Sequence, residues 1–276
     1  MNPTHTATVS RRTATKTILF VVLSVALLVS ILISAGTGQL GIPPQEVLGS
    51  LLHRVGIDWL PLPTHPAGDQ TLWAIRFPRV AMAALVGAGL AVAGLIMQAI
   101  FGNPLAEPGV IGISSGAAVG AGLAIVFGLT VFGEWTTAVF AFVAGLAATL
   151  VVYAMSRAEG KTEVVTLVLT GIAVNAIAGA AIALLTFLGD TQSREQIVFW
   201  QLGSLAGSRW SQVLIVAPVI AVGLLVAYGV ARKLDLLSLG ERNARHLGVN
   251  VEALRIGMIF IVALLTGAAV AFAGII

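Results

Sequence analysis

The stretch QAIFGNPLAEPGVIGISSGA, residues 98–117, contains the sharpest break in an otherwise apolar chain. The apolar run stops at Asn103, resumes after Pro108 and continues with glycines four residues apart. A proline disfavours the helical conformation of the residue before it, so the backbone leaves the helix at Asn103 and again at Glu107. We therefore interpret residues 98–117 as the end of one helix, an irregular connection and the start of the next helix.

The composition outside this stretch is that of a membrane protein. Hydrophobic residues make up 58% of the 276 residues and charged residues 10%, whereas soluble domains carry about 25% charged residues. A helix needs roughly 20 apolar residues to cross a bilayer. Seven segments meet that length, and we predict an all-α, polytopic membrane helical bundle with spans near 18–35, 80–101, 110–132, 136–156, 164–188, 211–230 and 256–276. The first span could instead be a cleaved signal peptide, but it is long and lacks a convincing cleavage site, so we interpret it as an anchor.

The basic residues predict the orientation of the chain. If residues 1–17 form a cytoplasmic tail before a membrane domain at 18–276, the inner side holds ten of the 15 Lys and Arg residues: Arg11, Arg12, Lys16, Arg157, Lys161, Arg232, Lys233, Arg242, Arg245 and Arg255. The outer side then holds the other five: Arg54, Arg76, Arg79, Arg194 and Arg209. This bias follows the positive-inside rule and predicts a cell-membrane protein with its N-terminus in the cytoplasm. Because the basic residues lie in short loops without interleaved aromatics, the net charge of +3 does not indicate nucleic-acid binding.

Two loops and two stripes of small residues complete the predicted bundle. The proline-rich segment 42–78 is expected outside with a short helix at 45–55, and REQIVFWQLGSL at 194–205 is typical of a surface helix. Small residues recur every four positions in two spans: Gly112, Gly116, Gly120, Ala124 and Gly128 in the third, and Gly171, Gly179 and Ala183 with Asn175 in the fifth. Such stripes let helix backbones approach closely in lipid.

The break at NPLAEP has two interpretations. An irregular backbone at membrane depth is tolerated only where it is buried in protein or lines a watery cavity. This predicts a constriction or gate at the inner mouth, with Asn103 capping a neighbouring helix end. A plain connection between two spans remains the alternative.

The chain lacks the residues for several chemistries. It has no cysteine, and its four histidines, His5, His53, His65 and His246, lie outside the predicted spans. A serine nucleophile in GISSGA needs a base within hydrogen-bond reach, which disfavours an intramembrane enzyme. There is no phosphate-binding GxxxxGK[ST] motif, so any ATP hydrolysis belongs to another chain. The spans also lack the carboxylates typical of ion-coupled carriers. We predict no catalytic residue, cofactor or metal site, and keep a receptor or scaffold as an alternative.

Four segments taken in order resemble one family. They are RFPRV at 76–80, GAGLAVAGLIMQAIFGNPLAEPGVIGISSGA at 87–117, WQLGSL at 200–205 and LGERNARHLGV at 239–249. Together they are similar to the FecCD-type permeases of bacterial ABC importers for iron–siderophores, heme and vitamin B12. The resemblance extends over nearly all of the chain from about residue 40. Members of the family have about ten crossings, so the resemblance implies about seven of ten helices here and a C-terminally incomplete permease domain.

The resemblance implies a transport assembly. Two permease copies form a homodimer in the lipid bilayer, two ATP-binding subunits attach on the cytoplasmic side, and an extracytoplasmic substrate-binding protein docks outside. The cargo it favours is a ferric–siderophore complex. The alternatives are heme or cobalamin, or a fragment that does not transport.

The resemblance also implies roles for particular residues. Arg76 and Arg79 are expected to dock the substrate-binding protein, with anchoring at lipid headgroups as the alternative. Asn103, Pro104 and Leu105 match the inner gate, and Thr162 lies where a second gate loop is expected. Residues 239–249 resemble a coupling helix that contacts the ATP-binding subunit, for which the expected residues are Leu239, Gly240, Glu241, Ala244, Arg245, Leu247 and Gly248.

Overall fold

The computed structural model describes residues 3–158 and 161–275, and it is α-helical nearly throughout. Its helices are α1 (Pro3–Gly36), α2 (Pro44–Arg54), α3 (Gly68–Thr71), α4 (Phe77–Phe101), α5 (Ile113–Val126), α6 (Thr136–Met155), α7 (Val164–Leu188), α8 (Thr191–Leu202), α9 (Trp210–Ser238), α10 (Glu241–His246) and α11 (Val251–Ala273). Between α6 and α7, strands β1 (Arg157–Ala158) and β2 (Lys161–Thr162) pair antiparallel. The all-α membrane fold predicted from the sequence is confirmed.

Six helical segments of the described residues are long and apolar enough to cross a bilayer, against the seven predicted. The third predicted span, 110–132, contains only the 14-residue helix α5. At about 1.5 Å per residue α5 covers roughly 21 Å, less than the hydrocarbon core. The span is short because a 3₁₀ turn, Pro108–Ile111, precedes α5 and Gly128 ends it with a φ of 57°.

Residues 1–80 form one compact unit. Helix α1 begins at Pro3, so described residues of the predicted tail continue the helix of the first span. The expected short helix is α2, one residue earlier than predicted. A π-helical turn, Leu72–Arg76, joins α3 to α4 without a break. Apolar side chains around Val47 and Leu72 form a small core of this unit.

Residues 81–276 form the second unit, built around α11. In the most apolar stretch of α11, 72% of the residues are buried. The corresponding share is 22–33% for the spans that contain α4, α6, α7 and α9. Leu265 on α11 is fully buried and lies against Gly223 of α9. This close approach is possible because Gly223 has no side chain. A Cβ at this position would lie only 2.4 Å from the Leu265 side chain.

The predicted small-residue stripes are sites of close helix contact at some positions only. A Cβ on Gly120 of α5 would lie 2.2 Å from the carbonyl oxygen of Phe140 on α6. On α7, a Cβ on Gly171 would lie 1.8 Å from the carbonyl oxygen of Val110, whereas one on Gly179 would meet no atom within 4 Å. Close packing against another segment therefore explains why positions 120 and 171 are glycine, while Gly179 lies on an open face of α7.

Candidate functional site

Three connections lie at one end of the second unit, and we call their described residues the linker face: residues 102–112, 156–158 with 161–163, and 239–250. Successive spans run in opposite directions, so connections that follow α4, α6 and α9 emerge at the same end. Arg255 of α11 joins the second and third connections, because it donates hydrogen bonds to Thr162 in one and to Glu241 in the other. The linker face contains every residue that the sequence predicted for gating and coupling.

The segment around Asn103 is a tight turn with an exposed tip. Gly102 has a φ of 58°, and the Asn103 side-chain oxygen accepts a hydrogen bond from the backbone N–H of Leu105 at 2.9 Å. Asn103 thus caps its own turn, and the expectation that it caps a neighbouring helix is wrong. Pro104 is exposed and the side chain of Leu105 is 86% exposed, so the turn presents an apolar residue outward.

The 3₁₀ turn Pro108–Ile111, which follows the Asn103 turn, is held inside the bundle by Asn175 of α7. Its side-chain amide donates to the carbonyl oxygen of Gly109 at 3.3 Å, and its side-chain oxygen accepts a hydrogen bond from the hydroxyl of Ser115. Gly112, with a φ of 80°, lets the chain turn from the 3₁₀ segment into α5. The hydroxyl of Ser115 is therefore bonded to an amide, and an amide does not act as the general base that a serine nucleophile requires.

Thr162 is 4% exposed and is held by α11. Its backbone N–H and its hydroxyl donate to the two carboxylate oxygens of Glu252, at 3.1 and 2.6 Å. Its carbonyl oxygen accepts from Nη1 of Arg255 at 2.8 Å. The hydrogen bonds of Asn103 lie within its own turn, so the two halves of the predicted gate are held by separate networks.

Helix α10 is the predicted coupling element, and its residues divide into exposed and buried ones. Leu239 and Leu247, which flank α10, are 64% and 63% exposed. Leu247 also lines a cleft of about 600 Å³ between α9 and α11. Ala244 is fully buried and seats α10 on the unit, so its predicted contact with a partner is wrong.

The charged and glycine residues of this connection have structural roles as well. Gly240 and Gly248, with φ values of 104° and 82°, begin and end the α10 turn. Glu241 accepts hydrogen bonds from Arg245 at 3.0 Å and from the buried Arg255. The exposed apolar face therefore consists of Leu239 and Leu247 beside the Glu241–Arg245 ion pair.

The docking prediction for Arg76 is corrected by its surroundings. Arg76 is 8% exposed, and its guanidinium donates to the carbonyl oxygens of Ala35 at 2.7 Å, of Gly36 at 3.1 Å and of Leu40. The carbonyls of Ala35 and Gly36 lie at the C-terminal end of α1, where a cation is favourable, and that of Leu40 lies in the segment that follows. Arg76 fixes this end of α1 and does not present its guanidinium to a partner. Arg79 is exposed, so the docking hypothesis now depends on Arg79.

Other arginines predicted on the outer side also stabilise the fold. Arg194 donates to the carbonyl oxygens of Thr186 and Gly189 at the end of α7, at 3.0 and 2.9 Å. Next to it, Asp190 begins α8 by accepting a hydrogen bond from the N–H of Ser193 at 2.7 Å. This bond, with one from the Ser193 side chain, holds the pKa of the Asp190 carboxyl below its ordinary value. These contacts give Arg194 a structural role that accounts for its place among the arginines predicted on the outer side.

Sequence reasoning missed two residues that bind the linker face from neighbouring helices, Glu252 of α11 and Asn175 of α7, and treated Arg255 only as a topology charge. Glu252 and Arg255 are three residues apart at the start of α11, a spacing that puts both on one helix face. Asn175 was seen only as a member of a small-residue stripe. In neither case does the spacing within the helix reveal the partner, because the partners of Asn175 and Glu252 on the linker face and α5 lie 60 or more residues away in sequence.

The fold and the linker face define the class of protein: a multi-pass α-helical membrane protein with a broken backbone and a short helix at one end of its second unit. A family model places it further. The model of the FecCD transport family matches residues 26–276, and the chain belongs to this family.

Characterised relatives are similar to most of the chain. The hemin transport system permease protein HmuU of Yersinia pestis is 42% identical over 205 residues, which cover 73% of this chain and 61% of that protein. The cobalamin import system permease protein BtuC of Halobacterium salinarum is 39% identical over 203 residues, 73% of this chain and 54% of that protein. The vitamin B12 import system permease protein BtuC of Escherichia coli is 33% identical over 92% of this chain and 72% of its own length. The chain thus spans little more than half of the first two relatives.

A solved structure supports the fold over the same region. It is described as an inward-facing conformation of a metal-chelate type ABC transporter, with 32% sequence identity and a TM-score of 0.78. The match covers 94% of this chain and 76% of that one. The fold of this chain is therefore similar to that of this transporter chain over the matched region.

Proposed function

We propose that this chain is the permease subunit of an ATP-driven importer in the cell membrane, with its N-terminus in the cytoplasm. The observation that carries the proposal is α10, a short helix bordered by two exposed leucines on the linker face of a FecCD-family chain. Such a pair suits insertion into an apolar groove of another protein. The sequence contains no nucleotide-binding motif, so ATP binding is assigned to a separate subunit.

The proposed cargo is a metal chelate. Ferric–siderophore complexes are the first candidate, on the resemblance of the sequence motifs. Hemin and cobalamin are the second, because relatives at 42% and 39% identity are named for transport of these tetrapyrrole chelates. ATP-dependent uptake by proteoliposomes of ferric siderophore, hemin and cobalamin, each offered alone, distinguishes the candidates.

The proposed assembly is a homodimer of this permease with two ATP-binding subunits and an extracytoplasmic substrate-binding protein. Docking of the binding protein is assigned in part to Arg79, which is exposed. The competing functions make different predictions. A receptor or scaffold would work without the ATP-binding subunit, and a serine-dependent intramembrane enzyme would lose its activity in Ser115→Ala.

Replacing Leu247 by aspartate is expected to weaken binding of the ATP-binding subunit. Burying an unpaired carboxylate in an apolar groove is unfavourable. We expect a loss of affinity of about tenfold or more, ~1.4 kcal/mol. The measurement is the Kd of the purified ATP-binding subunit for the detergent-solubilised permease. His246→Asp is the matched control, since it adds the same carboxylate one residue away on the exposed end of α10. An equal loss in both variants would mean that charge, and not the apolar contact of Leu247, governs binding.

Replacing Leu105 by glycine is expected to loosen the inner gate. Leu105 presents the apolar side chain at the tip of the Asn103 turn, while Asn103 itself holds the turn through the Leu105 N–H, which glycine retains. We expect raised passive leak of cargo and raised basal ATPase activity in the reconstituted assembly, with unchanged expression. Leu105→Met should behave like wild type. Normal leak in Leu105→Gly supports the alternative, a plain connection between spans.

A further inference from the structure

Four residues from three segments meet at the start of α11, and we call them the Arg255 cluster: Thr162, Glu241, Glu252 and Arg255. The side chain of Arg255 is 3% exposed and lies at the centre. Its Nη1 donates to the carbonyl oxygen of Thr162 at 2.8 Å, and its Nη2 donates to Glu241. One guanidinium therefore binds the predicted gate strand β2 and the predicted coupling helix α10 at the same time.

Glu252 strengthens the gate side of the cluster. Its carboxylate accepts both the N–H and the hydroxyl of Thr162, and it lies 4.0 Å from Nη1 of Arg255. Thr162 is thus fixed to α11 through its amide, its hydroxyl and its carbonyl group. A movement of the first turn of α11 must carry Thr162 with it.

Glu241 provides the other side and is shared between two arginines. It is paired with Arg255, which is buried, and with Arg245, whose side chain is 54% exposed beside Leu247 and Leu239. A protein that binds α10 contacts Arg245 and the two leucines before it reaches any buried group. The exposed ion pair is therefore the connection between the surface of α10 and the buried guanidinium.

The burial of Arg255 makes the connection between α10 and β2 rigid. A buried guanidinium that loses one of its carboxylates is strongly destabilised, because its charge is then uncompensated in a medium of low dielectric. In the described part of the chain, Nε of Arg255 already has no acceptor, so the cluster has no spare hydrogen bond to lose. Moving α10 without moving Arg255 is unfavourable, and moving Arg255 displaces Thr162.

We propose that the Arg255 cluster transmits binding at α10 to strand β2 and the first turn of α7, with Arg255 as the positioning residue. This inference rests on the proposed function in one respect, since it takes the ATP-binding subunit as the partner at α10. The physical connection between Glu241 and Thr162 does not depend on that partner and is testable in the permease alone.

The first experiment uses the full chain without a partner. Because the chain has no cysteine, a single Glu163→Cys reporter carries a spin label at an exposed position next to Thr162. We expect Glu241→Gln to make the label about twofold more mobile, since Arg255 then loses the nearer of its two carboxylate partners. Arg245→Gln is the matched control, because it removes the exposed partner of the same carboxylate and leaves Arg255 paired. Equal mobility in Glu241→Gln and wild type overturns the proposal.

A conservative variant, Arg255→Lys, distinguishes loss of the cluster from misfolding of the protein. Arg255→Lys keeps the positive charge, but one ammonium cannot reach Thr162 and Glu241 in the fork geometry of a guanidinium. We expect it to raise mobility at position 163 while retaining the wild-type gel-filtration profile and melting temperature to within a few degrees. A well-folded Arg255→Lys with wild-type mobility at position 163 counts against the cluster.

The second experiment adds the ATP-binding subunit that co-purifies with the permease. We expect binding to change the label at position 163 in the wild-type background, and Arg255→Lys, a change at a buried residue outside the exposed surface of α10, to bind with a Kd within about threefold but without that change. If the change persists in Arg255→Lys, the proposal fails and the proposed function stands. If no ATP-binding subunit binds the wild type, the proposed function fails, while the first experiment still decides whether Glu241 and Thr162 are connected.

Discussion

Gly171→Ala is expected to prevent α7 from packing against the broken segment and to remove most of the folded protein. The Cβ of alanine would lie 1.8 Å from the carbonyl oxygen of Val110 and 3.0 Å from its carbon. Both are backbone atoms of the 3₁₀ turn Pro108–Ile111, so no side chain can rotate away. Overpacking a tight site costs typically 1–3 kcal/mol and occasionally more, and here either α7 or the turn must shift by more than an ångström. The measurement is the thermal unfolding midpoint in detergent, together with the monodisperse fraction in gel filtration.

Gly179→Ala is the matched control for this prediction. It makes the same change on the same helix, eight residues later, where an added Cβ meets nothing within 4 Å. Both variants gain the helix propensity of alanine, about 1 kcal/mol, so the difference between them isolates the contact with Val110. We expect Gly179→Ala to melt at or slightly above the wild-type temperature. If the two variants are equally stable, α7 does not contact the 3₁₀ turn as closely as described here.

Arg76→Met is expected to destabilise the unit formed by residues 1–80. Methionine fills a similar volume but donates no hydrogen bond, so the carbonyl oxygens of Ala35 and Leu40 lose the donor that Arg76 provides, while that of Gly36 keeps the backbone N–H of Ile42. An unsatisfied buried polar group costs about 1–3 kcal/mol. We expect limited proteolysis to cut the segment between α1 and α2 at least tenfold faster. Lowering the free energy of local opening by ~1.4 kcal/mol raises the population of the open, cleavable form tenfold.

Arg79→Met separates the structural role of Arg76 from docking. Arg79 is exposed, so the same substitution there is expected to leave proteolysis near the wild-type rate and to affect only association with the substrate-binding protein. A single surface ion pair contributes about 0.2–1 kcal/mol, so that effect is small and is largest at low salt. If Arg76→Met resists protease like wild type and instead weakens docking, Arg76 belongs to the docking surface after all.

The sequence alone determined the features that depend on composition and local spacing. Uncharged segments of 20 or more residues identified the spans, because a bilayer excludes charge. The prolines of NPLAEP placed the break between the second and third predicted spans, because a proline restricts the residue before it. The ordered motifs gave the resemblance that the FecCD family model confirms. A short helix was also predicted in each of the two polar loops, where the structure has α2 and α8, the second from the apolar spacing of REQIVFWQLGSL.

Tertiary structure alone decided which face each side chain uses. Arg76 and Arg79 are three residues apart and look equivalent in RFPRV, yet the carbonyl oxygens at the end of α1 bury one and leave the other exposed. Gly171 and Gly179 belong to one stripe, but only Gly171 lies against the backbone of the 3₁₀ turn. Arg255 joins Thr162, 93 residues before it, to Glu241, 14 residues before it. A sequence pattern reports the periodicity of a residue within its own helix, whereas the cost of burying a charge or a Cβ depends on atoms that another segment places beside it.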